Sequence, residues 1–175
     1  MNVVIANRQR TRRINLRRFR QVTDTLLADL GIRNGELGVY LIGTPEMSQL
    51  NETHLQHVGS TDVITFDYSD RRGRCFVNTP TNRATTKPCP PMHGEIFICV
   101  DEAVRQARQF QTSWQSEIVR YLTHGVLHLL GHDDSDGRTR QKMKREEDRR
   151  LRALSRRFSL AQLASPAKLP GCKNR

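Results

Sequence analysis

The segment "HGVLHLLGHDD" (residues 124–134) crowds three of the chain's six histidines and two aspartates among apolar residues. Ile118 to Leu130 is apolar over most of a helical circumference, so this stretch is expected to be a buried helix. A buried imidazole without a partner costs roughly 1–3 kcal/mol, so the histidines need something to bind. His124 and His128 are four residues apart, offset by about 40° and one turn, and therefore share a face. A metal ion is a partner that satisfies both at once. Six histidines in a chain of this length produce roughly 0.2 H-x-x-x-H pairs by chance, so the pair alone is weak. The residues that follow strengthen it. Gly131 suits a left-handed turn that ends the helix and sends the chain back, so that Asp134 can reach the same point. His132 competes with Asp134 for the third place, but Gly131 ends the helix before the one-turn spacing of His132 can be used. Two imidazoles and one carboxylate (His124, His128, Asp134) leave a zinc ion one open position, the layout of a catalytic site. Asp133 is expected to act beside these ligands, fixing the turn or a ligand histidine.

The rest of the chain supplies the frame. Val3–Ala6 reads as a short strand. Asn15 can cap a helix in which Leu16, Phe19, Val22, Leu26, Leu27 and Leu30 keep helical spacing up to Gly31. Leu37–Gly43, Thr61–Tyr68 and Gly94–Asp101 read as strands, and Thr44-Pro45 starts a helix with Met47 and Leu50 facing inward. Residues 70–92, rich in Pro, Thr, Asn and Arg, read as a long exposed loop. A helix is expected over Asp101–Gln109, another from a capping box at Thr112 to Gly131, and a charged one over Gly137–Phe158. The expectation is one α+β domain over residues 1–158, with about four strands in a small mixed sheet, and a flexible basic tail over 159–175.

The spacing of His124, His128, Gly131 and Asp134 matches the metzincin zinc proteases, except that Gly125 stands where those enzymes carry their general-base glutamate. Peptide hydrolysis is therefore the poorer reading. The sequence instead resembles the YbeY family of bacterial endoribonucleases, whose H-G-x-L-H-L-x-G-Y-D-H hallmark it matches at His124, Gly125, Leu127, His128, Leu129, Gly131 and Asp133. "MSQLN" (Met47–Asn51), "TDVITF" (Thr61–Phe66), "GEIFIC" (Gly94–Cys99) and the pair Met143 and Glu147 resemble further blocks of that family in the same order. The resemblance implies a zinc-dependent cleft in a small mixed sheet with packed helices. It also implies cleavage of single-stranded RNA, with roles in maturing the 3′ end of small-subunit ribosomal RNA and in ribosome quality control. Three positions depart from the pattern. Asp134 replaces the family's third histidine ligand, with His132 in place of an aromatic residue. Leu55 stands where many members carry an arginine important for activity, so phosphate binding falls to another side chain. His124 is the expected catalytic ligand, through the ability of a coordinated zinc ion to acidify water and polarise a phosphoryl oxygen.

Charge bears on the partner. Lys and Arg number 29 against 18 Asp and Glu, a formal net charge of +11, which favours polyanions such as RNA. Seven arginines fall between Arg8 and Arg20, and Arg12, Arg13, Arg17 and Arg18 among them are candidates for the RNA backbone. Ten Lys and Arg fall between Arg138 and Arg157. One Trp and three Tyr offer few stacking platforms, so recognition should rest on backbone charge and shape. No run approaches the roughly 20 apolar residues of a membrane span. The N-terminal apolar run is too short for a secretory signal, and four cysteines without a C-x-x-C pair give no disulfide framework, so a cytoplasmic location is expected. The alternative to a nuclease is an RNA- or ribosome-binding protein that keeps a metal only for folding.

Overall fold

The computed structural model describes residues 1–69 and 91–165. Four strands, β1 (Asn2–Asn7), β2 (Gly35–Ile42), β3 (Val63–Asp67) and β4 (Met92–Cys99), form one mixed sheet in the order β1-β2-β4-β3. β1 and β4 both run parallel to β2, and β3 lies antiparallel to β4, with Thr65 opposite Ile96. The parallel pairs require crossovers, which the helices supply. Helix α1 (Leu16–Asp29) joins β1 to β2 and buries Phe19, Val22, Leu26 and Leu27, and Asn15 caps it by accepting from the Arg18 amide. Helix α2 (Thr44–Leu50) starts with Pro45 in its first turn and buries Met47 on the other face of the sheet, against Ile42, Ile64, Phe97 and Cys99. Cys99 is a buried free thiol, as its apolar setting predicts.

Three helices follow β4: α3 (Val100–Gln109), α4 (Trp114–Leu129) and α5 (Gly137–Arg157). Helix α4 is the keystone. Ile118, Val119, Leu122, Val126 and Leu127 are buried in the main core with α1 and the sheet. Gly125 faces the sheet, where an added Cβ would lie 2.8 Å from Ile96 Cγ2 and 3.2 Å from Thr65 Cγ2. That closeness explains the absence of a side chain better than any helix preference, since glycine in a helix interior costs about 1 kcal/mol relative to alanine.

Three expectations need correction. The capping box at Thr112 does not form. Ser113 is the cap, its hydroxyl accepting from the Ser116 amide, while the Thr112 hydroxyl donates to Glu117 at 2.6 Å. The loop assigned to 70–92 ends earlier, because Met92 already pairs with Gly35 as the first residue of β4; residues 70–90 lie outside the described part. The tail is not free from residue 159 onward. A 3-10 turn, Leu160–Leu163, buries Leu163 to 2% exposure, and Ala164 bridges to Ile14. The Asn15 amide donates to the Leu163 carbonyl and the Ser165 amide to that of Arg13, so the packed unit extends to residue 165. Residues 166–175 of the expected tail lie outside the described part.

Candidate metal centre and its cleft

Helix α4 delivers two imidazoles, and the turn after it delivers the carboxylate. The helix ends with paired bonds from the Gly131 amide to the His128 carbonyl (2.8 Å) and from the His132 amide to the Leu127 carbonyl (3.0 Å). This is a Schellman turn, and it requires the left-handed conformation that Gly131 adopts at φ +89°. The reversal brings Asp134 back over the helix. His124 Nε2 and His128 Nε2 lie 2.9 Å apart, and the Asp134 oxygens stand 3.9 Å from the first and 3.8 Å from the second. Among the described residues these three form a cluster able to hold one metal ion. An ion bonded tetrahedrally at about 2.0–2.1 Å holds its donors roughly 3.3–3.4 Å apart, and the three separations bracket that value.

The surroundings fix which ring nitrogens face inward. Glu147 on α5 lies 2.6 Å from His124 Nδ1, and the His132 carbonyl lies 3.1 Å from His128 Nδ1. A carbonyl oxygen can only accept and a carboxylate is an acceptor when ionised, so each Nδ1 is the protonated nitrogen. Both Nε2 lone pairs are then left pointing at one another. With both imidazoles neutral, two acceptors face each other at 2.9 Å, and a cation between them resolves the conflict. Burial opposes charging of His124, but the hydrogen bond and charge of Glu147, with Asp62 and Asp134, outweigh it and hold the imidazole above its ordinary value. Burial and then the neighbouring His124 push His128 below its ordinary value.

The other predicted residues fall differently. The ring of His132 is outside the cluster, and burial lowers its pKa; its contribution is the carbonyl that orients His128. Asp133 is exposed and fixes the turn, accepting from the Ser135 amide at 3.0 Å and the Ser135 hydroxyl at 2.5 Å. Those two bonds hold its carboxyl below the ordinary value. Arg12, Arg13, Arg17 and Arg18 lie before and on the first turn of α1, and none of the four lines the metal cleft. Leu55 ends a π-helical turn, Asn51–Leu55.

That cleft, about 560 Å³, opens beside His124 and Asp134 and runs between the end of α3, α4 and α5. Arg120, one turn before His124, sits among three carboxylates: Asp148 at 2.8 Å, Glu117 at 3.7 Å and Glu147 at 3.8 Å. A separate cleft of about 450 Å³ between Tyr40, Tyr68 and Glu95 contains none of the predicted residues. Sequence reasoning missed Glu147 as a partner of the metal centre and Arg120 as its counter-charge. A signal existed for Glu147: four residues after Met143, it shares the inward face of α5, and both are buried.

Comparisons with known proteins agree with this geometry. The sequence model of the family "Endoribonuclease YbeY" matches residues 4–155. An endoribonuclease YbeY of Geobacter metallireducens is 29% identical over 161 residues, covering 91% of this chain and 99% of that one. That of Aquifex aeolicus is 30% identical over 135 residues, covering 77% and 80%. The solution structure of TM1509 from Thermotoga maritima superposes with a TM-score of 0.60 at 19% identity, covering 95% and 99% of the two chains, which shows a shared fold. No described helix is long and apolar enough to cross a membrane.

Proposed function

This chain belongs to the YbeY family of endoribonucleases, and from that premise we propose that it is a zinc-dependent endoribonuclease acting on single-stranded RNA. Its substrate is ribosomal RNA in the cytoplasm, at the 3′ end of the small-subunit RNA and in ribosome quality control. One observation carries the metal dependence: the Nε2 atoms of His124 and His128 converge at 2.9 Å with Asp134 beside them, an arrangement that a cation satisfies. A bound divalent ion would supply Lewis acidity toward a phosphoryl oxygen and toward water.

The chain's own residues do the rest. Glu147 and the His132 carbonyl hold the two imidazoles in the ligating tautomer, and Asp133 and Gly131 hold the turn that presents Asp134. The basic surface, with Arg12, Arg13, Arg17 and Arg18 exposed or half-exposed, attracts the RNA backbone. Gly125 stands where a protease would carry its glutamate, directly after His124, and the sheet leaves no room for one there. Purified protein incubated with single-stranded RNA and with casein, with and without chelator, tests the proposal. The expected result is RNA cleavage that chelator abolishes, with casein intact. RNA binding without cleavage would instead identify a metal-stabilised RNA-binding protein.

A further inference from the structure

Among the described residues, three cationic side chains other than histidine line the metal cleft: Arg120, Arg140 and Lys144. Arg120 is committed to Asp148, Glu117 and Glu147. Arg140 and Lys144 are exposed, one turn apart on the cleft face of α5, and neither pairs with a described carboxylate. Arg140 is also oriented. Its Nε donates to the Asp134 carbonyl oxygen at 3.2 Å, so the backbone that presents a metal ligand also aims the guanidinium, and its terminal nitrogens make no other described bond. Across the cleft stands Phe110, at the end of α3, with 62% of its surface exposed. Its backbone is pinned by the amide bond to the Gln106 carbonyl at 2.9 Å. Its ring lines the cleft while staying largely in water, where a base can reach its face.

We propose that this cleft is a nucleotide subsite for single-stranded RNA, in which Arg140, supported by Lys144, contacts the phosphate beside His124 and Asp134 while Phe110 stacks on a flanking base. The inference rests on the endoribonuclease reading above. Carboxylates also line the cleft, and their repulsion of phosphate has to be met. The described lining has five carboxylates, Asp62, Glu117, Asp134, Glu147 and Asp148, against Arg120, Arg140 and Lys144. Arg120 pairs with Glu117, Glu147 and Asp148, and a divalent ion held at Asp134 would offset the remaining excess of two negative charges. Arg140 and Lys144 remain as the cations free to face a phosphate. A guanidinium presents several N–H donors at once, which suits two phosphate oxygens. A base–aromatic stack is tolerant of sequence, as expected for an enzyme that reads single strands rather than a base code.

The test is anisotropy of a short fluorescein-labelled single-stranded RNA, fully 2′-O-methylated to resist cleavage, titrated with the full chain at several salt concentrations. Arg140→Gln keeps a donor for the Asp134 carbonyl but removes the charge, so zinc content should be unchanged. It should raise Kd roughly tenfold, in keeping with a lost charged hydrogen bond, and lower the log–log salt slope by about 0.7. Phe110→Leu should raise Kd about fivefold or more with an unchanged slope. Lys142→Gln, on the same helix outside the cleft, removes equal charge and should leave Kd near that of the parent protein. Arg140→Gln binding no worse than Lys142→Gln overturns the phosphate contact. Phe110→Leu binding like the parent overturns the base contact. Should Arg140→Gln lose zinc, the comparison is repeated on chelated proteins, where the Kd difference must persist for the contact to stand. Normal metal-dependent cleavage with normal probe binding by both variants sinks the subsite alone. Variant-sensitive binding without any cleavage by the parent sinks the endoribonuclease reading and leaves the subsite.

Discussion

His124 Nδ1 lies 2.6 Å from Oε1 of Glu147, a carboxylate that arrives on another helix 23 residues further along the chain. The contact fixes the tautomer of a proposed metal ligand and ties α4 to α5, so on that proposal metal affinity and the docking of α5 depend on the same pair. Orienting partners of this kind typically account for about 10- to 100-fold in metal affinity. Glu147→Ala should therefore bind zinc about 10- to 100-fold more weakly in a competitive chelator titration. Unchanged zinc affinity would mean that the imidazole is held by packing alone.

Gly125 gives a packing prediction. Its position 2.8 Å from Ile96 Cγ2 leaves no space for a Cβ, still less for a buried carboxylate. Overpacking typically costs about 1–3 kcal/mol, and an unpaired buried charge adds to it. Gly125→Glu should lower the thermal midpoint and gain no casein cleavage, although it restores the glutamate of the protease motif. A stable variant that cleaves casein would contradict both the packing argument and the rejection of a protease.

How much of this was legible in the sequence depends on how local each determinant is. Helix α4 announces itself through its apolar circumference, and Gly131 announces the turn, so the candidate cluster His124, His128 and Asp134 could be assembled from one short segment. Glu147 could not be given its role in that way. Its partner lies on a different helix, and the angle at which α5 docks is set by tertiary packing of Met143, Leu151 and Leu154 rather than by spacing. Arg140, one of ten Lys and Arg between Arg138 and Arg157, was hidden for the same reason. The buried Leu163 has only Leu160 at helical spacing before it, a run too short to distinguish its turn from a frayed tail. Thr112 and Ser113 are both competent caps, and the choice fell to Ser113 because Glu117 takes the Thr112 hydroxyl.

Asp101 gives a pH prediction away from the metal. Its carboxylate accepts from the Thr44 amide at 2.7 Å and from the Thr11 hydroxyl, joining the starts of α2 and α3 to the segment before α1. Burial favours the neutral acid, but those hydrogen bonds outweigh it and hold the carboxyl below its ordinary 3.8. A lowered folded-state pKa contributes stability that is fully present above the unfolded value and disappears as pH falls through the folded one. Asp101→Asn should therefore be less stable than the parent in urea at pH 7, with the gap narrowing below about pH 4. A gap independent of pH would show that the charge contributes nothing.

The N-terminal arginines test long-range attraction separately from the cleft. Replacing Arg12, Arg13, Arg17 and Arg18 together with Gln should weaken RNA binding across sequences and flatten its salt dependence. Because none of the four lines the metal cleft, kcat should change less than KM. An unaltered salt slope would reduce the cluster to a solvated face.

The third ligand is open to the most direct test, because the roles of His132 and Asp134 separate cleanly. His132 serves through its backbone carbonyl, which any residue retains, so His132→Ala should keep zinc. Asp134 places Oδ2 3.9 Å from His124 Nε2 and Oδ1 3.8 Å from His128 Nε2, and its loss leaves only two candidate ligands among the described residues. Asp134→Ala should therefore lose most bound zinc and RNA cleavage. Asp134→His should retain zinc while removing one negative charge from the ligand set. A more electropositive centre acidifies its water further, so the pH–rate profile of Asp134→His should move toward lower pH. Metal analysis of the three variants decides the assignment, and zinc kept by Asp134→Ala but lost from His132→Ala would reverse it.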